Sequence, residues 1–260
     1  MTDNAPSRFR YRYDLDGLRG IAIALVVLYH VFVGRVSGGV DVFLLLSGYF
    51  FLGSQLRYAA RPNASLNPWW PIWRTLRRLV PSLVLVIGVS YILVRLFAPE
   101  RMSGDLAKQI TATIFYYQNW ELARQDADYV AAAASTSPLQ HMWSMAVQGQ
   151  FYLAGILFAI GLAALMRLRP KESGLTGSRF PTVNSIAGPV LLVVTIASFA
   201  YACRDGLYGS PHNYYSTFSR AWELTLGAVL VIYGKDMFKD ERDGTIRNFD
   251  EIDPEEGFAD

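Results

Sequence analysis

Cysteine is almost missing from this chain: Cys203 is the single one in 260 residues. That excludes a disulfide framework and a cysteine-rich metal centre. Histidine is nearly as scarce, and His30, His141 and His212 are too scattered to suggest a zinc set, so no metal is expected. Charge is low as well. Charged residues make up 18% of the chain, where soluble domains carry about a quarter. No Walker loop, G-x-G-x-x-G fingerprint or G-x-S-x-G elbow occurs, which removes the usual nucleotide-binding and Ser-His-Asp hydrolase readings. There is no internal repeat.

What is present is apolar: 52% of residues are hydrophobic and mean hydropathy is +0.21. Charge is unevenly spread. Residues 235–260 carry 10 acidic and 4 basic side chains, leaving 12 acidic and 20 basic in the first 234. The reading is a basic, apolar membrane domain over 1–234 with an acidic tail over 235–260, expected to be disordered. The arginines flank long apolar runs, a pattern of membrane anchoring rather than of nucleic-acid binding.

Two runs, 79–97 and 186–203, approach or reach the ~20 residues that cross a hydrocarbon core of about 30 Å. Four less pure ones cover 15–34, 38–56, 141–166 and 216–233, and the stretches 123–140 and 170–189 read as loops. Residues 106–122 are polar at both ends and suit a short span, a re-entrant helix or an interfacial helix. The fold class is therefore all-α: a polytopic transmembrane bundle with six clear spans and one amphipathic or re-entrant helix. Arginine placement orients it. Arg8, Arg10 and Arg12, the connection 57–78 and the stretch 167–179 are all basic, which predicts a multi-pass plasma-membrane protein with a cytoplasmic N-terminus.

Polar groups inside the spans are where chemistry is sought. Arg19 and His30 lie eleven positions apart in LDGLRGIAIALVVLYH. At ~100° per residue they share one helix face, about 16 Å apart. The bland alternative is a snorkelling arginine and a histidine bonded to a neighbouring helix. Asp41, Ser47 and Tyr49 punctuate the second span, where helix packing is the competing reading. WRTLRRLVP brings Arg74, Arg77 and Arg78 before the third span, as cytoplasmic anchors or as an anion site. His141, Ser144 and Gln148 open the fourth clear span. Arg220 and Glu223, three apart in SRAWELTLG, can pair on one helix face.

These segments together resemble the acyltransferase-3 family of membrane O-acyltransferases, which includes O-antigen and peptidoglycan O-acetyltransferases. The matching pieces are DLDGLRGIAIALVVLYH, GGVDVFLLLSGYF, WRTLRRLVP, SPLQHMWSMAVQGQFYL and YYSTFSRAWELTLGAVL, in family order from about residue 13 to 233. The resemblance implies that His30 is the catalytic base and that Arg19 belongs with it to the catalytic set. It also implies that Arg19, Arg74, Arg77 and Arg78 bind the acyl-CoA donor. Asp16, Asp41, Ser47, Tyr49, His141, Ser144, Gln148, Arg220 and Glu223 then form the supporting polar set. Many relatives carry two glutamates where this chain has Gln148 and Gly149, so a carboxylate role there is lost.

The implied reaction moves an acyl group, most simply acetyl, from cytoplasmic acyl-CoA to a hydroxyl of an envelope carbohydrate or glycolipid. No tightly bound cofactor is expected, and acyl-CoA is a co-substrate. The family usually has about ten spans, so the sequence reads as a truncated or divergent member. Two alternatives follow: an acyl-relay or transport subunit, or an inactive short form. In the latter case a homo-oligomer or a partner chain would supply the missing helices.

The topology is open to cysteine scanning on a Cys203→Ser background. Single cysteines in 57–78 and 167–179 should resist an impermeant thiol reagent added from outside. Labelling of 167–179 from that side would overturn the orientation.

Overall fold

In lipid an apolar segment must satisfy its own backbone groups, and the helix does so within one segment. The computed structural model of the protein describes residues 13–28, 32, 38–61, 64–125, 137–168, 183–204 and 209–233. Nine α-helices lie among the described residues: α1 (Tyr13–Leu28), α2 (Gly39–Ala59), α3 (Trp69–Phe97), α4 (Gly104–Ile114), α5 (Gln118–Arg124), α6 (Trp143–Arg167), α7 (Val183–Ala202), α8 (Pro211–Tyr215) and α9 (Thr217–Tyr233). The acidic tail over 235–260 lies outside the described residues.

Four of the six expected spans are long and apolar enough to cross a membrane: α2, α3, α7, and α6 with the turn before it. With 16 and 17 residues, α1 and α9 are shorter, reaching about 24 and 26 Å of helix. At 29 residues α3 is the longest, about 43 Å, and so overruns a core of about 30 Å. The loop expected over 170–189 is corrected by α7, which already starts at Val183 and carries Pro189 inside it. Gly and Pro signal loops in water. In an apolar helix whose neighbours cover the freed carbonyl they do not.

The amphipathic stretch 106–122 divides in two. α4 has 11 residues and α5 has 7, each too short to span. The Ser103 hydroxyl caps α4 by accepting from the Leu106 N–H at 3.3 Å. At its far end Tyr116 adopts φ 58°. The Tyr117 N–H then reaches back to the Ala112 carbonyl at 2.8 Å and the Tyr116 N–H to that of Thr113 at 3.2 Å. That is the helix-ending pattern normally built around glycine. Tyrosine in this conformation costs about 1–2 kcal/mol, so the surroundings must hold it. Gly149 of α6 accepts the Tyr116 ring where any side chain would collide with it, and Gln150 Nε2 donates to the Tyr116 carbonyl at 2.7 Å.

The helix directions follow from which residues meet. Asp41, Gly48 and Gly53 of α2 meet Arg220, Leu224 and Val231 of α9 in turn, so these helices run parallel. Ser47 and Phe51 meet Gln148 and Tyr152, so α6 runs parallel to α2. α7 runs against α9: Thr195 pairs with Thr225 while Gly188 faces Tyr233. On α9 the contact positions 220, 224, 227 and 231 recur every three or four residues, the spacing of a two-helix seam.

The tightest approach of α2 and α9 is made at two glycines, one on each helix. A Cβ on Gly48 would fall on the Leu224 carbonyl, and one on Gly227 would fall on the Leu45 carbonyl. Each glycine therefore admits the backbone of the other helix, the mode by which small residues join membrane helices. Around this crossing pack Leu52, Leu56, Ala159, Leu162, Leu191 and Ala228, all buried.

Gly48→Ala or Gly227→Ala should destabilise the bundle by about 1–3 kcal/mol or more, because backbone rather than a movable side chain lies in the way. Gly161→Ala on α6 meets nothing within 4 Å and should be neutral or stabilising by about 0.5–1 kcal/mol. Thermal unfolding in mild detergent compares them.

Candidate functional site

Polar residues gather in two layers of the bundle. The first lies at the end where α2, α6 and α9 begin. Arg220, one turn into α9, is 1% exposed. Its Nη1 donates to Asp41 Oδ1 and to Glu223 Oε1, each at 2.8 Å, and its Nε donates to the Tyr214 carbonyl at 3.0 Å. The guanidinium carbon lies 4.3 Å from the Tyr214 ring centre and 5.0 Å from that of Trp143. The Arg220–Glu223 pair predicted from their spacing thus forms, and Asp41 of the second span completes it. Glu223 is as buried as the arginine, whereas the Asp41 side chain is 43% exposed at the open edge of the layer.

Arg220 is the right residue type for this position. Its planar fork serves two carboxylates and a carbonyl at once, and it stacks on aromatic faces as lysine cannot. Two carboxyl groups share one cation, with Asp41 as the outward member.

The second layer lies deeper. From α6, Gln148 Nε2 donates to Ser47 Oγ of α2 at 2.8 Å and to the Tyr152 hydroxyl at 2.5 Å. The Tyr152 ring stacks on Phe51 of α2 at 3.8 Å between centres. The charges of Arg78 from α3 and Arg19 from α1 both bear on the Tyr152 hydroxyl. Arg19 pairs with Asp16 at 3.4 Å and lies over the rings of Phe50 (5.5 Å) and Phe43 (5.8 Å). Its buried Nε has no hydrogen-bond partner among the described residues. Arg78 itself is exposed on α3.

The remaining expected residues lie elsewhere or beyond view. His30 falls outside the described residues, two positions past the last described residue of α1. Arg74 lies with its guanidinium 5.7 Å from the Trp70 ring centre, and both Arg74 and Arg77 are exposed. Tyr49 packs edge-on to Phe50 at 5.4 Å. His141 is exposed in the turn before α6, and Ser144 donates its hydroxyl to the His141 carbonyl at 3.3 Å.

Sequence reasoning missed Tyr152 and Tyr214. Tyr152 follows Gln148 by four residues, which on a helix places both on one face, so that signal was available. Tyr214 offers a carbonyl and a ring from α8, which no spacing announces. Also missed is the amide-rich shoulder of α5. Asn119 donates to the Tyr215 carbonyl at 3.0 Å and to Thr217 Oγ1 at 2.9 Å, while Gln150 donates to Asn119 Oδ1 at 2.9 Å. Beside it, hydrogen bonds from Arg124 hold the buried Glu121 carboxyl below the usual carboxylate range. Burial pushes the Tyr116 phenol up.

Arg220→Met would leave Glu223 and Asp41 without their shared cation and should cost about 3–5 kcal/mol. Arg220→Lys should recover only part of this, since it cannot serve all three acceptors. In thermal unfolding, Arg220→Met combined with Glu223→Leu should lose less than the two single losses added together.

Residues 12–240 match the acyltransferase-3 family, described as an acyltransferase domain. The chain is 29% identical over 228 residues to YrhL of Bacillus subtilis, provisionally named a peptidoglycan O-acetyltransferase; the match covers 86% of this chain and 33% of that protein. It is 34% identical over 168 residues to the O-acetyltransferase OatA of Staphylococcus aureus, covering 63% of this chain and 27% of OatA. The chain therefore spans about a third or less of these curated relatives. No solved structure matches it. Since the match runs from the start of α1 past the end of α9, the chain belongs to the acyltransferase-3 family.

Proposed function

We propose that this chain is the catalytic bundle of a plasma-membrane O-acyltransferase. It moves an acetyl group from cytoplasmic acetyl-CoA to a hydroxyl of an envelope carbohydrate, peptidoglycan being the first acceptor to try. The observation that carries the reading is Arg19, a charge on an apolar helix that lies over Phe43 and Phe50 and keeps a buried Nε without a partner among the described residues, in a bundle of this family. An ionisable group placed within a span is by default a mark of a functional site.

In this reading the donor's phosphates are held at the basic end of α3 by Arg74, Arg77 and Arg78, with Arg19 reaching the same charge from α1. The basic end is shared by neighbouring connections: Arg167 at the end of α6 donates to the Ala64 carbonyl in the α2–α3 connection. The same end is taken as cytoplasmic, because it collects Arg57, Arg61, Arg74 and Arg77. His30, neutral near pH 7, accepts the proton of the acceptor hydroxyl as it attacks the thioester. An acyl-His30 intermediate gives the same products by two transfers instead of one.

His30→Ala and His30→Gln should each lower glycan-dependent CoA release by about 10²-fold or more. Arg19→Lys keeps the charge but loses the planar fork, and should raise the acetyl-CoA KM about tenfold. The assay is thiol release from acetyl-CoA by purified protein with peptidoglycan fragments. Unchanged release in the His30 variants would remove the base. An unchanged KM in Arg19→Lys and in the Arg74/Arg77 double alanine variant would remove the donor site.

A further inference from the structure

We propose that the corner where α2 turns into α3 is a docking surface for anionic phospholipid. Trp69, Trp70 and Trp73 sit at the headgroup level, and Arg61 and Arg77 take the lipid phosphate. The inference goes beyond the transferase reading and does not rest on it.

Length sets the level. Residues 79–97 carry one charge, Arg95, near the far end. They make about 28 Å of helix, which fills a hydrocarbon core of about 30 Å. The start of α3, residues 69–78, therefore extends about 15 Å beyond the core, into the headgroup layer and the water next to it. That short segment holds three of the six tryptophans of the chain, together with Arg74, Arg77 and Arg78.

Helix geometry sorts these residues. At ~100° per residue Trp69, Trp73, Arg77, Trp70, Arg74 and Arg78 fall in that order across one half of α3. Ile72, Leu76, Leu79 and Leu83 fall on the other half, within about 60° of one another, and these are half-buried or buried. The protein thus covers an aliphatic stripe and leaves indoles and guanidinium groups outward. Trp69 is 64% exposed, Trp70 59% and Trp73 46%. Arg77 is exposed as well, one turn after Trp73 and two after Trp70. An indole joins an apolar body to a polar N–H, so it favours the boundary between hydrocarbon and water. Three of them, spread over about 100° of helix surface, suit a continuous lipid face better than one small ligand.

Charge selects which lipid. No acidic residue occurs between positions 42 and 99, a stretch that contains Arg57, Arg61, Arg74, Arg77 and Arg78. Such a surface attracts anionic headgroups and gains little from zwitterionic ones. The corner is also built, not trailing. The Tyr58 hydroxyl accepts the Ser65 N–H at 2.8 Å, and Asn67 Oδ1 accepts the Trp69 N–H at 2.9 Å. Arg167 donates to the carbonyl of the buried Ala64, and Arg61 lies 5.7 Å from the Tyr58 ring centre. A lipid phosphodiester and the phosphates of acetyl-CoA share one chemistry, so Arg77 serves either. The tryptophans and Arg61 stand outside the donor set, which makes the two sources separable.

The test reads tryptophan fluorescence of the full chain in phosphatidylcholine bilayers. Brominated phosphatidylglycerol or brominated phosphatidylcholine is added as the quencher. Wild type should bind the anionic lipid about fivefold or more tightly than the zwitterionic one at low salt, and the preference should fall in high salt. Arg61→Gln with Arg77→Gln should bring it to about twofold or less, while quenching by brominated phosphatidylcholine stays as in wild type, which reports an intact fold. Trp69→Phe, Trp70→Phe and Trp73→Phe combined should abolish the headgroup-dependent part of the quenching. Equal affinity for the two lipids in wild type would overturn the proposal. Headgroup-dependent quenching that survives in the triple phenylalanine variant would place the lipid elsewhere and overturn it too. Loss of the preference on adding saturating free CoA would give the surface to the donor instead.

Discussion

The close approach of α2 and α9 at Gly48 and Gly227 governs the geometry of the bundle. Each residue stands where a single added carbon would strike the main chain of the facing helix. α2 and α9 are therefore pressed together along a parallel seam. One turn or two along it, that closeness brings Asp41 within hydrogen-bond distance of Arg220. Because α9 occupies this side of α2, Ser47 and Phe51 are left for α6, and α7 closes on the far side of α9 through Thr195 and Thr225. Lipid offers helices no hydrophobic force for association, so close backbone approach and a few interhelical hydrogen bonds carry the assembly.

The two polar layers differ in what their charges do. Around Arg220 the donors are committed: two carboxylates, a carbonyl and two ring faces surround one buried guanidinium. Such a cluster gains specificity more than stability, since desolvating the ions offsets much of their attraction. It sets the register of α9 against α2 and α8. Around Tyr152 the groups are less committed. Arg19 retains a buried Nε without a hydrogen-bond partner among the described residues, and the Ser47 and Tyr152 hydroxyls both accept from Gln148.

The α4–α5 elbow shows how one helix can fix a strained turn on another. Tyr116 holds a left-handed conformation that tyrosine disfavours, and α6 compensates with a glycine under its ring and an amide on its carbonyl. Gly149 is therefore not merely a lost carboxylate. The adjacent Gln150 continues into the amide network that ties α5 to the start of α9. The elbow is held by α6 next to the residue that orients the inner layer, Gln148.

Hydropathy was sufficient to place the helices, because a long apolar run in lipid has few other ways to satisfy its backbone. The Arg220–Glu223 pair was legible too, since three residues on a helix are neighbours by construction. Two local readings failed for physical reasons. Val183–Pro189 reads as a loop by the rules of water, although Gly188 and Pro189 sit in an apolar helix. The break at Tyr116 carries no glycine or proline to announce it, because the residue that permits it is Gly149, on another helix. The site itself depended on contacts no local pattern encodes. Asp41 meets Arg220 across 179 positions and Ser47 meets Gln148 across 101. Periodicity determines which face of a helix a residue occupies. Which faces meet is decided by backbone approach at glycines and by the pairing of groups that cannot be left unsatisfied in an apolar interior.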